Sequence, residues 1–180
     1  MIRLGWQILV IGYGGEHCTE EAYDIAYRVG KEVARRGAVL VTGGLGGVME
    51  AASKGAAEAD GLVVGIIPQD EKGYANPNCD IVIPTGIGHA RDFITAYAAD
   101  AVVVVGGGVG TMVEACAAYL KSKPIVSVTG SGGVADRIAG TYLDDRQLVR
   151  IVGEEDPRMA VEVALNLLNQ RGEKGTDSLK

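Results

Sequence analysis

The sequence predicts a doubly wound α/β fold, a parallel sheet of about six or seven strands covered on both faces to give three layers. Three observations carry this. Short apolar runs such as 101–105, Ala-Val-Val-Val-Val, are continuous rather than alternating, as strands buried on both faces require. Longer stretches with helical apolar spacing separate them. Glycine makes up 27 of 180 residues, about twice the usual ~7%, and it collects where an apolar run gives way to a helix.

In chain order, residues 7–11 form a buried strand that enters the turn Gly12-Tyr13-Gly14-Gly15. A helix is expected over 20–36. Thr19 can cap it, Ala22, Ile25, Ala26, Val29 and Val33 form its inner stripe, Asp24/Arg28 and Glu32/Arg36 are favourable pairs, and Gly37 stops it. A second strand, 38–41, leads to Thr42-Gly43-Gly44-Leu45-Gly46-Gly47 and a helix over 48–59 with a small-residue face. Residues 62–67 make a third strand. Residues 68–79, with Pro68, Gly73, Asn76, Pro77 and Asn78, read as an irregular loop of the kind found at binding sites, and base recognition is expected there. A strand at 81–83, a helix at 90–99, the strand 101–105, the turn Gly106-Gly107-Gly108-Val109-Gly110 and a helix from Thr111 to 121 follow. Strands at 124–128 and 150–152 come next, and Asp156-Pro157 opens a last helix whose buried stripe is Ala160, Val163, Ala164, Leu167 and Leu168. One domain over 1–170 and a frayed tail over 171–180 are expected.

Lys and Arg number 17 against 23 Asp and Glu, a net charge of −6 with the two signs interleaved, so neither nucleic acid nor an anionic membrane is an expected partner. No apolar run approaches a membrane span and no secretory pattern opens the sequence, which gives a cytoplasmic expectation. Cys18, Cys79 and Cys116 are widely spaced, with only His17 and His89 to help them hold a metal, so reduced thiols and no metal site are expected.

Each glycine cluster follows a strand and precedes a helix, the place where open parallel sheets bind ligands. Glycine lets backbone amides approach an anion, and the helix N-terminus adds partial positive charge. Gly12, Gly14, Gly43, Gly44, Gly46, Gly47, Met49, Gly107, Gly108, Val109, Gly110 and Thr111 are therefore candidates for a phosphate cradle, although any single cluster also fits a plain tight turn. There is no Gly-x-x-x-x-Gly-Lys-Ser/Thr, so the lysine and hydroxyl of a P-loop are missing. A dinucleotide site is disfavoured because His17 stands where the third glycine belongs and the second strand ends in Val41-Thr42 rather than an acidic residue.

The most informative stretch joins His89-Ala90-Arg91-Asp92 to Gly107-Gly108-Val109-Gly110-Thr111-Met112-Val113-Glu114. With Thr111 as helix cap, Thr-x-x-Glu has capping-box spacing, which is a structural account of Glu114. Arg91 at a helix start opposes the helix dipole unless an anion compensates, and Asp92 is one such anion. The alternative is chemical: a guanidinium and a carboxylate beside a phosphate cradle orient a sugar phosphate and stabilise positive charge developing on its ring.

These segments resemble the LOG family, the phosphoribohydrolases often labelled lysine decarboxylases, whose motif is Pro-Gly-Gly-x-Gly-Thr-x-x-Glu with an upstream Arg-Lys. The resemblance runs from the first strand to about residue 128 and includes Thr42-Gly43-Gly44 and Gly47-Val48-Met49. It implies a Rossmann-like fold, a homodimer or larger homo-oligomer, and a site that cleaves the N-glycosidic bond of a nucleoside 5′-monophosphate, with Arg91 and Glu114 matching the catalytic pair and Gly107, Gly108, Gly110 and Thr111 the phosphate loop. Gly106 replaces the motif's proline and Asp92 its lysine. The run from Thr42 to Ala56, with Thr85-Gly86-Ile87-Gly88 and Ala90-Arg91, is similar to a sister branch that contains molybdenum cofactor carrier proteins. That branch implies a phosphorylated pterin as ligand, no required cofactor and no turnover. Hydrolase and carrier both stay open at this point.

The remaining candidates are weaker. Cys116 is expected in the core, while His89, His17 and Glu16 adjoin the loops as possible ligand contacts. The decarboxylase label requires a Schiff-base lysine, and only Lys72 is a candidate. Residues 112–120, with Phe93 and Tyr97, are the expected subunit contact.

Overall fold

The computed structural model describes residues 5–177, with side chains through 171. Seven strands, β1 (Gln7–Gly12), β2 (Val39–Thr42), β3 (Val63–Ile67), β4 (Ile81–Pro84), β5 (Ala101–Val105), β6 (Ile125–Val128) and β7 (Val152–Glu154), form one sheet in the order β4-β3-β2-β1-β5-β6-β7. Every pairing is parallel. Helices α1 (Glu20–Arg35), α2 (Val48–Ala57) and α6 (Pro157–Asp177) cover one face, and α3 (Arg91–Ala98), α4 (Val109–Leu120) and α5 (Gly133–Ile138) the other. The expected doubly wound, three-layer architecture is the one observed.

The packing follows from the sequence pattern. All five residues of β5 are buried, their alternate side chains entering the two cores on either side of the sheet. Burying each such valine contributes about 1.5–3 kcal/mol. Thr19 caps α1, its Oγ1 accepting from the Ala22 amide at 3.0 Å. The small face of α2 has a steric cause: a methyl on Gly30 would overlap the Ala52 carbonyl, and one on Gly55 the Tyr27 carbonyl, so α1 and α2 meet backbone to backbone.

Three expectations need correction. The last strand is Val152–Glu154 rather than 150–152, because Ile151 is spent on the core and donates its amide to Thr141 before pairing with β6 begins. Helix α4 starts at Val109, with Gly108 at the cap position and the Met112 amide donating to the Gly108 carbonyl at 3.0 Å, so Thr111 lies within the first turn and is not the cap. Cys116 is exposed, since Ala115, Ala117, Ala118 and Tyr119 take the inward positions of α4. Helix α6 is described to Asp177, and residues 178–180, the end of the expected tail over 171–180, lie outside the described residues. Helix α5 was not anticipated, being six residues long and too short to show a period.

Candidate functional site

The chain leaves β1 in one direction and β5 in the other, so the carboxyl ends of these adjacent strands form the switch-point crevice where open α/β sheets take their ligands. A cleft of about 420 Å³ opens there, within the range that holds a small ligand. The first glycine turn contributes Gly12 and Gly14, the second Gly43 with Met49, and the third Gly108, Val109, Gly110 and Thr111, while Arg91 and Glu114 complete the set of expected residues on its wall. Gly44, Gly46, Gly47 and Gly107 do not line it. Gly44 and Gly107 turn the backbone at φ +71° and +99°, and Gly47, at φ +70°, packs on the Tyr13 carbonyl.

The N-terminus of α4 opens on the cleft. Its first-turn amides have no carbonyl four residues back to bond, and they carry the positive end of the helix dipole. A side chain on Gly108 would meet nothing within 4 Å, so the fold leaves that position open on the cleft. The Thr111 hydroxyl donates to the Gly12 carbonyl at 2.9 Å and ties the third glycine turn to the end of β1.

A buried charged group also lines the cleft. Arg91 is 7%, Asp92 6% and Glu114 8% exposed. The Arg91 guanidinium faces Asp92 with Nε 3.7 Å from Oδ1, and that Nε has no hydrogen-bond partner. Thr95 Oγ1 sits 2.8 Å from both the Asp92 carbonyl and Glu114 Oε1. One hydroxyl proton cannot serve both acceptors at once: Thr95 donates it to Glu114 when the carboxylate is ionised, and a protonated Glu114 donates into Thr95 while Thr95 donates to the Asp92 carbonyl. Burial pushes the Glu114 carboxyl up to about 7, the Asp92 carboxylate adding to the rise and the Thr95 hydroxyl and Arg91 opposing it. Glu114 therefore exchanges its proton near neutrality, and it is not a capping-box residue.

His17 and His89 both line the cleft, as does Asp92. Residues 68–79 contribute nothing to its wall, contrary to expectation. They act as a brace: the Asn76 amide donates to the Gly44 carbonyl at 2.8 Å and Asn76 Nδ2 to the Leu45 carbonyl at 3.1 Å, which fixes the second glycine turn. Lys72 is exposed and no lysine is among the cleft-lining residues, so a Schiff base has no partner there. Leu45 and Tyr13 line the cleft and Thr95 supports it without being candidates from the sequence. Tyr13 carried a signal, a lone aromatic inside a glycine turn, whereas Thr95 carried none. Among the described residues no group of three or more His, Cys, Asp or Glu is placed to hold a metal, and no helix is long and apolar enough to cross a membrane.

A parallel sheet with its crevice at the switch point and glycine turns on three strand ends defines a Rossmann-like protein of the LOG-like type. More narrowly, residues 5–161 match the model of the SLOG cluster4 family, and the chain belongs to that family. An uncharacterized protein of Archaeoglobus fulgidus is 50% identical over 122 residues, 68% of this chain and 79% of that one. The molybdenum cofactor binding protein of the phototrophic bacterium Rippkaea orientalis superposes with a TM-score of 0.82 at 30% identity, covering 93% of this chain and 99% of that one. The molybdenum cofactor carrier protein of Chlamydomonas reinhardtii gives 0.79 at 32% identity, over 92% and 99%.

Proposed function

We propose that the protein binds a phosphorylated heterocycle, a pterin of the molybdenum cofactor type or a nucleotide, and acts as its carrier. The observation that carries this is the opening of the α4 N-terminus onto the cleft beside Arg91, a buried cation with an unpartnered Nε. The amides of Gly108, Val109 and Gly110 would take the phosphate oxygens. Arg91, held by Asp92, would add a charge the phosphate can use. The similarity to a molybdenum cofactor carrier over most of both chains favours a carried pterin as cargo.

A second reading, hydrolysis of a nucleoside 5′-monophosphate at its N-glycosidic bond, is favoured by Glu114. An ionised carboxylate at the cleft wall would stabilise positive charge developing on the ribose, Arg91 would orient the substrate, and a water would complete the reaction. The proton shared near pH 7 suits either role. For the assembly, Phe93 and Tyr97 of α3 and Leu120 of α4 are each about half exposed, and we propose that copies of the chain pair through this face.

The test is a panel of nucleoside 5′-monophosphates assayed for ribose 5-phosphate release and for thermal stabilisation, with Glu114→Gln alongside. Molybdenum content is measured in protein purified from cells that overproduce the cofactor. Stabilisation and bound molybdenum without product support the carrier. Product that Glu114→Gln abolishes moves the assignment to the hydrolase, and absence of both stabilisation and molybdenum removes the phosphate reading.

A further inference from the structure

Tyr13 touches every glycine turn around the cleft. Its carbonyl accepts from the Val48 amide at 3.0 Å, at the end of the second turn. Its ring lies in a notch formed by three glycines with left-handed backbone, Gly106 (φ +59°), Gly132 (φ +85°) and Gly133 (φ +52°). A methyl on Gly106 would overlap the ring edge, and methyls on Gly133 and Gly132 would come within 2.5 Å and 3.2 Å of the phenol oxygen. The notch is held from behind: Ser131 Oγ accepts from the Gly106 amide at 2.8 Å, and the Val134 and Ala135 amides donate to the Gly107 and Gly106 carbonyls at 3.0 Å each. Tyr13 is also among the residues that line the cleft.

The backbone of Gly106 explains a departure in the motif. Proline is locked near φ −65° and cannot take +59°. The third turn of this chain therefore starts in a conformation that a proline-bearing turn cannot reach, and the ring of Tyr13 occupies the space beside it.

We infer that Tyr13 is a positioning residue for phosphate: its ring, seated on Gly106, Gly132 and Gly133, holds the third glycine turn in the conformation that aims the α4 amides into the cleft. This rests on the phosphate reading proposed above. A residue that sets the phosphate cradle acts on every phosphorylated ligand alike, whereas an aromatic wall that stacks on a base acts only on ligands with a base.

The experiment titrates AMP and ribose 5-phosphate calorimetrically into wild type, Tyr13→Phe, Tyr13→Ala, Gly106→Ala and the double variant Tyr13→Ala/Gly106→Ala. Tyr13→Ala is expected to weaken both probes by the same factor, about tenfold for one charge-assisted hydrogen bond misaligned, and Tyr13→Phe to restore both. Gly106→Ala is expected to weaken both as well, and to cost less in the Tyr13→Ala background, where the overlap with the ring is gone. If Tyr13→Ala does not fold, Tyr13→Leu replaces it and the same comparisons apply. The inference is overturned if ribose 5-phosphate affinity is unchanged while AMP affinity falls, if Tyr13→Phe loses as much as Tyr13→Ala, or if the two single effects multiply. Ribose 5-phosphate binding by wild type separates this failure from that of the phosphate reading, which falls, and takes this inference with it, if neither probe binds and no molybdenum copurifies; where molybdenum alone is retained, its content in the same variants is the readout, and retention unchanged by Tyr13→Ala overturns the inference.

Discussion

Replacing Glu114 by Gln gives the sharpest quantitative consequence of the structure. Burial raises this carboxyl from 4.5 to about 7 in the folded protein. A raised carboxyl favours the protonated folded state, so its contribution to stability is complete below about pH 4.5 and is lost progressively as the pH rises to about 7. Between those limits the loss amounts to about 3 kcal/mol at 1.36 kcal/mol per pH unit. Gln cannot ionise and keeps a donor to offer Thr95, so the variant escapes the loss. Wild type and Glu114→Gln should therefore have similar stability at pH 4.5 and diverge up to pH 8, the variant becoming more stable by up to about 3 kcal/mol, or roughly 6–12 °C in Tm for a chain of this size. Urea unfolding of both proteins at half-unit intervals from pH 4.5 to 8.5 measures the difference directly. A difference that stays flat across this range would show that the Glu114 carboxyl is solvated and titrates as an ordinary one, and the account of a buried, proton-exchanging site would fail.

Two further substitutions test how the site is supported. Thr111→Val removes the hydroxyl that donates to the Gly12 carbonyl at 2.9 Å, and should cost about 1 kcal/mol in urea unfolding with a parallel loss of ligand-induced stabilisation. Gly55→Ala forces a methyl into the Tyr27 carbonyl where α1 and α2 meet, at a position that does not line the cleft. It should destabilise by about 1–3 kcal/mol while leaving the ligand affinity of the folded fraction unchanged, and an Ala variant as stable as wild type would contradict the close packing of these helices.

The amino-acid sequence by itself determined the layout. Continuous apolar strands, helical stripes and glycine turns are local patterns, and the order of elements from Gln7 to Val128 follows from them because backbone geometry and burial act over a few residues. It also placed ten of its site candidates on the cleft, Gly12, Gly14, Gly43, Met49, Arg91, Gly108, Val109, Gly110, Thr111 and Glu114, since ends of neighbouring parallel strands converge at one edge of the sheet. What it left undecided required distant segments to meet. The start of α4 at Val109 rather than Thr111 depends on how the third turn seats against β1. Loop 68–79 became a brace because Asn76 reaches the carbonyls of Gly44 and Leu45 across 32 and 31 positions of chain, which no local pattern encodes. Thr95 meets Glu114 only because α3 packs on α4, and Tyr13 finds its notch only because loops from β5 and β6 are tied together beside it. The proton on Glu114 belongs to the same class: residue type sets a carboxyl near 4.5, and only the tertiary structure, by removing water from around it, raises it to about 7.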